Sequence, residues 1–389
     1  MNWDDIIIDA AATDTGMRRS NNQDSYTAVR APHAEAWRQR GHVFLVADGM
    51  GAHAVGELAS KMACDLIPHN YMKARTGTPA EAIVKTFRDV SSRIHSRASA
   101  NRDFQGMGTT SSALLLLPEG ALIAHVGDSR VYRIRRQRID QLSFDHSLVW
   151  ELVRRNHLTS EQAKLSVPKN VITRSLGPEV EIEVDVEGPF EIELGDVYLL
   201  CSDGLSGPVE DDEIGAFAGN FHPRDACRYL ISLANLRGGL DNITVMIVRI
   251  GTWVDPDSAE VQQQSDERSG RDGLPRAGWR QRLTSLFKGR RGSAAPPVVE
   301  EHPYRTAECP INEDLIARLH DLTRSAQEQA IEQAWSLDWT LLGSLRRQEA
   351  EARDAKNVWV ALRKLGEILY LLGQAARFHA KSVAAPDVH

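Results

Sequence analysis

A chain of 389 residues is long enough for two domains, or for one large domain with an appendage. Its charged fraction of 25% and hydrophobic fraction of 42% are ordinary for a globular protein, and a formal net charge of -7 argues against general nucleic-acid binding. Four scattered cysteines, Cys64, Cys201, Cys227 and Cys309, contain no CxxC pair, which suits a reducing cytosol rather than a disulfide framework or a zinc site.

The N-terminus, Met1-Asn2-Trp3-Asp4-Asp5, carries acids where a signal peptide would carry bases. The segment Gly16-Met17-Arg18-Arg19-Ser20-Asn21-Asn22-Gln23-Asp24 sets an arginine close to an acid. Guanidinium grips phosphate oxygens bidentately, so the pair makes sense beside a phosphoester; taken alone, the segment reads as a polar turn. The strand-like run Phe44-Leu45-Val46-Ala47 then leads into Asp48-Gly49-Met50-Gly51-Ala52-His53. Asp48 can bridge two cations with its two oxygens, and Gly49 lets the backbone bend so that its carbonyl adds a ligand. Asp-Gly is also a common turn dipeptide, as Asp272-Gly273 shows. His53 is the histidine nearest these acids and a candidate proton donor, although a lone loop histidine is more often polar surface.

Helical periodicity follows around Gly56 to Tyr71 and Ala80 to Ala98, and returns at Leu148 to Asn156. The most apolar window, Ala113 to Val126, is interrupted by Pro118, Glu119 and Gly120, short of the ~20 apolar residues that span a bilayer. The expectation is a cytoplasmic protein with no integral membrane segment. Three further apolar runs meet acids: Leu122 to Gly127 ends at Asp128, Val197 to Ser202 ends at Asp203, and Asp241-Asn242 opens Ile243 to Val248. Each aspartate alone could be a turn residue. Four of them at strand ends form a more specific set, because buried like charges raise one another's pKa unless cations neutralise them. Strands without an intervening helix, Ala121 to Arg135 and Glu181 to Ser202, indicate α+β layers with largely antiparallel sheets. HExxH, GxxxxGK[ST], a post-strand GxGxxG and GxSxG are all missing from the sequence, and the histidines are too dispersed for a zinc triad.

Composition divides the chain into residues 1–252, a Gly-, Pro- and Ser-rich charged linker at 253–310, and a helical region at 311–380. Within the linker, residues 276–291 would set Trp279, Leu283, Leu286 and Phe287 on one helix face, either as a docking segment for an anionic surface or as charged linker. In the last region Asn312 is a plausible N-cap, and Leu315, Leu319, Leu322, Ala326 and Ala330 recur at helical spacing, as do Val358, Leu362, Leu365, Leu369, Leu372 and Ala376. Two antiparallel helices or a short bundle is the natural reading, with Trp335, Trp339 and Trp359 mostly in its core.

Taken in order, Gly16…Arg19…Gln23-Asp24, Asp48-Gly49-Met50-Gly51-Ala52-His53 with Gly56-Glu57, Met107-Gly108-Thr109-Thr110, Val126-Gly127-Asp128-Ser129-Arg130, Asp145-His146-Ser147, Val171 to Gly177, Ser202-Asp203-Gly204 and Asp241-Asn242 resemble the metal-dependent Ser/Thr protein phosphatases, the PPM or type-2C family, in its bacterial form. The resemblance covers roughly residues 9 to 250. It implies a four-layer α/β/β/α sandwich of two antiparallel sheets, to which a small all-α C-terminal region is added. It implies two Mn2+ or Mg2+ ions: Asp48 bridges them, Asp203 and Asp241 complete the first, and the Gly49 carbonyl and Asp24 serve the second. Asp128 with Asp203 would match a weaker third site, and Arg19 would bind the substrate phosphate. Metal-acidified water would attack phosphorus in line, with a proton for the leaving alkoxide from water or His53. Gln23 stands where some relatives carry a glutamate, and Ala52 replaces a usual glycine. The implied substrate is a phosphoserine or phosphothreonine protein, a Ser/Thr kinase or its targets, and the C-terminal helices are candidates for binding a partner protein. The rival reading is a phosphoprotein-binding module with little or no turnover.

Overall fold

The computed structural model describes residues 6–51, 55–154, 171–254 and 305–384. Its strands are β1 (Ile7–Asp14), β2 (Asp24–Val29), β3 (His42–Met50), β4 (Gly108–Thr109), β5 (Ser111–Leu117), β6 (Gly120–Val126), β7 (Arg130–Arg135), β8 (Arg138–Gln141), β9 (Asp185–Phe190), β10 (Val197–Cys201), β11 (Ile243–Ile250) and β12 (Thr306–Glu308). One sheet has the order β1-β11-β10-β7-β8-β12 and the other β2-β3-β5-β6-β9, with β4 paired to β3. All of these pairings are antiparallel.

The central strands read as unbroken apolar runs because both of their faces are covered. In β3, Phe44 and Val46 point between the sheets and meet Tyr198, Leu200, Met246 and Val248 of the other sheet. Val43, Leu45 and Ala47 point outward onto α2 (Val55–Lys73) and α3 (Pro79–Ala100), against Ala59, Ile67, Ile83, Phe87 and Val90. In β11 the same alternation sends Ile243, Val245 and Ile247 to the opposite outer layer. A capping box between Thr78 and Glu81, with Pro79 in the first turn, fixes where α3 begins. The shorter helices α1 (Ala34–Arg40), α4 (Leu148–Arg154) and α5 (Asp203–Ser206) punctuate the sheets. Then α6 (Asp211–Asn220) and α7 (Pro223–Leu236) cover the second sheet through Ile214, Phe217, Leu230 and Leu233. This is the expected α+β sandwich of two antiparallel sheets between helical layers.

The C-terminal region is three helices, α8 (Glu313–Glu332), α9 (Trp339–Asp354) and α10 (Val358–Ala384), the short-bundle alternative of the two that apolar spacing left open. The middle one shows little apolar periodicity because it buries only Leu342, Leu345, Glu349 and Ala352. Asn312 caps α8 as its sequence suggests, its Oδ1 accepting from the Leu315 amide at 2.9 Å. Leu315, Leu319, Leu362, Leu365 and Leu369 share one core with Phe217, Ala226 and Leu230, so these helices lie directly on the sandwich as a further layer. Gly366 and Gly373, one heptad apart, permit that approach. A Cβ at either would stand 2.8 Å from α7, meeting the Tyr229 ring or Ser232.

Residues 306–308, which composition assigns to the linker, instead extend the sheet edge as β12, and Cys309 beside them is buried. Trp335 is buried and Trp359 stacks on Phe221, but Trp339 is exposed. The basic segment 276–291 lies outside the described residues, as do Ala52 and His53. All four cysteines are buried and unpaired. No helix among the described residues is long and apolar enough to cross a membrane.

Candidate metal centre

Five acids converge at one end of the sandwich because each sits where a strand starts or stops. Asp24 opens β2 and lies directly across from Asp48 near the end of β3. Asp128 occupies the turn from β6 to β7, Asp203 follows β10, and Asp241 precedes β11. The surrounding backbone is held by uncharged groups. The Asp48 amide donates to Thr110 Oγ1 at 2.9 Å, and Thr110 Oγ1 in turn lies 2.7 Å from Ser129 Oγ. The Gly49 amide donates to the Gln23 carbonyl at 3.1 Å, and a Cβ at Gly49 would fall 2.1 Å from the Gly56 carbonyl oxygen. That crossing admits glycine only.

Asn242 ties the arginine-bearing loop to this end. Its Oδ1 accepts from the Gln23 amide at 2.8 Å, while Nδ2 donates to the carbonyls of Thr15 (3.0 Å) and Asn21 (2.9 Å). Arg19, largely exposed, donates to Asp241 Oδ2 at 2.7 Å and so stands at the rim of the acids. His146 clasps the turn before Asp128: its Nδ1 accepts from the Gly127 amide at 3.0 Å and its Nε2 faces Asp185 at 2.9 Å. Arg130 is committed to Asp145 through contacts of 2.6 to 3.1 Å.

The electrostatics follow from removing like charges from water. Burial, then the charges of Asp24, Asp203, Asp128 and Asp241, push the Asp48 carboxyl well above its ordinary range. Burial pushes Asp24 up to about 7, against the opposing hydrogen bond from Ser202 Oγ at 2.7 Å. Asp128 is pushed up to about 8 by burial and then by Asp203 and Asp145, and Asp203 is raised by burial and Asp241. One oxygen each of Asp24, Asp128 and Asp203 is buried without a hydrogen-bond partner. Such orphaned, hard oxygen donors, with no arginine hydrogen-bonded to them among the described residues, fit Mg2+ or Mn2+. Among the described residues no three such side chains stand in ready-made coordination geometry; the acids share a location and a mutual repulsion.

The structure therefore brings together Arg19, Asp24, Asp48, Gly49, Asp128, Asp203 and Asp241, while His53 lies outside the described residues. Thr110, Ser129, His146, Ser202 and Asn242 received no individual role from the sequence. Their motif positions beside the acids were the available signal, but their hydrogen bonds span tens to hundreds of residues.

The family model for protein phosphatase 2C matches residues 17–230. The protein phosphatase PhpP of Streptococcus pneumoniae is 36% identical over 242 residues, covering 61% of this chain and 94% of its own length. The serine/threonine phosphatase PstP/Ppp of Mycobacterium tuberculosis superposes with a TM-score of 0.55 at 33% identity, over 64% of this chain and 100% of that one. A structure of the PstP catalytic domain in complex with two manganese ions gives 0.53 at 33% identity, over 64% of this chain and 99% of that one.

Proposed function

The chain belongs to the protein phosphatase 2C family and is a metal-dependent protein-serine/threonine phosphatase, and we propose that the acids and Arg19 divide the work as follows. Its cofactors are Mn2+ or Mg2+. Asp48 would hold two ions, Asp203 and Asp241 would complete the first, and the Gly49 carbonyl and Asp24 would serve the second, Asp24 through the Oδ1 left without a hydrogen bond. Asp128 with Asp203 would hold a weaker third. When bound, the ions supply the Lewis acidity that makes water a nucleophile near neutral pH and offsets phosphoryl charge.

Arg19 receives the substrate phosphate at the rim, exchanging its contact with Asp241 for phosphoryl oxygens. Asn242 orients the loop that carries it. Thr110 and the Gly49 crossing fix Asp48 in place, so this carboxylate is preorganised. His53 remains the candidate donor of a proton to the leaving alkoxide, from its place five residues beyond Asp48 in the chain.

The substrate is a phosphoprotein. A protein-serine/threonine kinase, or its targets, belongs to this reading because such a kinase makes the bond that is cleaved. A partner protein on the C-terminal helices is supported by the exposed Ile331, Trp339, Leu341 and Phe378, and a cytoplasmic location by the four unpaired cysteines. The observation that carries the site assignment is the set of orphaned carboxylate oxygens. Its test at the substrate end is Arg19→Ala, expected to raise KM for a phosphoserine peptide by roughly 10- to 100-fold, the loss of a charged hydrogen-bonding contact. An unchanged KM would remove Arg19 from this role.

A further inference from the structure

Asp14, the last residue of β1, is a buried acid that the chemistry does not use. The Arg377 guanidinium, on the C-terminal helix α10, pairs with its Oδ2. Its Oδ1 accepts from the Gly16 amide at 2.8 Å and from Asn235 Nδ2 at 3.2 Å. Asp14 is thus the foot of the loop that carries Arg19, and its counter-charge comes from the far end of the chain. One step along that loop, Met17 is half-buried against the C-terminal cluster of Ala330, Trp335, Leu372 and Ala376. The Met17 amide donates to the Gly239 carbonyl at 2.8 Å, two residues from Asp241.

We propose that Arg377 and Met17 are positioning residues for phosphate binding, through which the C-terminal helices set the placement of Arg19. The proposal rests on the role given to Arg19 above. Between Asp14 and Asp24 the chain has no regular structure, and Arg18, Arg19 and Ser20 are exposed, so Arg19 is placed by what anchors the loop on either side of it: Asn242 holds Thr15 and Asn21, and the C-terminal helices add two anchors before Arg19. One anchor is an ion pair with a buried carboxylate. Without Arg377 that buried carboxylate keeps its hydrogen bonds from Gly16 and Asn235 but loses its counter-charge, which loosens the Gly16 turn. The other anchor is the apolar seat of Met17, built almost wholly from α8, α9 and α10. Matched relatives are covered over 93–94% of their length by 61% of this chain, and so carry no counterpart of these helices. The coupling is an addition in this chain to a catalytic half that works elsewhere without it.

The test uses the full-length protein at saturating Mn2+, with p-nitrophenyl phosphate as substrate and inorganic phosphate as inhibitor. Arg377→Ala and Met17→Ala are each expected to raise KM and the phosphate inhibition constant together, by roughly 3- to 10-fold, with kcat within about twofold. Arg377→Lys, which keeps the charge, should recover most of the loss. In an Arg19→Ala background, Arg377→Ala should add nothing further, because both act through one contact. Should Arg377→Ala not fold, Met17→Ala and Arg377→Lys carry the same comparison. Unchanged phosphate inhibition in a folded variant, a fall in kcat at constant KM, or full additivity with Arg19→Ala would overturn the proposal. If Arg19→Ala itself leaves phosphate inhibition unmoved, the role of Arg19 fails. If it weakens inhibition while Arg377→Ala is silent, only the coupling fails.

Discussion

Two sets of buried acids in this molecule differ in one respect. Glu213 and Asp196 have fully buried side chains, and each is gripped by arginine. Arg237 donates to Glu213 Oε1 at 2.8 Å, and Arg135 spans both oxygens of Asp196 at 2.6 and 2.7 Å. Asp24, Asp48, Asp128 and Asp203 have one another for neighbours; Arg19 hydrogen-bonds Asp241 at their rim, and the charges of Arg19 and of Arg130, which is committed to Asp145, offset only part of the repulsion. Burial is common to both sets; provision of a counter-ion by the chain is not. The first set is complete as folded and serves stability; on the proposed assignment the second is completed by cations and carries the chemistry.

The contrast can be broken most sharply at Asp48. Asp48→Asn should lower phosphopeptide turnover by about 100-fold or more, since outer partners of metal ligands alone cost roughly 10- to 100-fold. The metal-free variant should nevertheless melt no lower than the parent, because the amide is free of the burial and repulsion that disfavour an ionised carboxyl at this position. Steady-state kinetics and a thermal melt in chelator check both halves. Glu213→Gln should do the reverse, lowering stability by about 1.5–3 kcal/mol in urea unfolding while leaving kcat per folded molecule unchanged.

A smaller effect concerns pH. Asp24 and Asp128 titrate at about 7 and about 8 in the folded metal-free protein, against about 3.9 in an unfolded chain. Between those limits the folded state binds more protons than the unfolded one, so unfolding free energy falls as pH rises. The contribution of these two carboxyls to metal-free stability is therefore full below about pH 4 and is lost through pH 7 to 8. Melting temperatures in chelator from pH 5.5 to 8.5 should decline, and saturating Mn2+ should flatten the decline. An increase with pH would contradict the repulsion.

The same contrast explains what the sequence displayed. Asp48, Asp128, Asp203 and Asp241 were legible because each adjoins an apolar run long enough to read as a strand, and strand ends converge. The arginine grips were not legible. Glu213 meets Arg237 through a helix, and Asp14 meets Arg377 from opposite ends of the chain; no local pattern encodes either. Helix α6 was equally silent, because Ile214 to Ala218 are all buried and so show no amphipathic period. Strand β12 is three residues in a polar stretch, visible only through the edge it completes.

The central claim is that the orphaned acids are a cation site that makes the chain a phosphatase. Its most direct test is hydrolysis of a phosphoserine peptide by the metal-stripped full-length protein as Mn2+ is added. The account predicts no turnover without metal, saturable activity as Mn2+ rises, and loss on adding chelator. A folded protein that stays inactive at every Mn2+ concentration, or that is equally active in chelator, would contradict it.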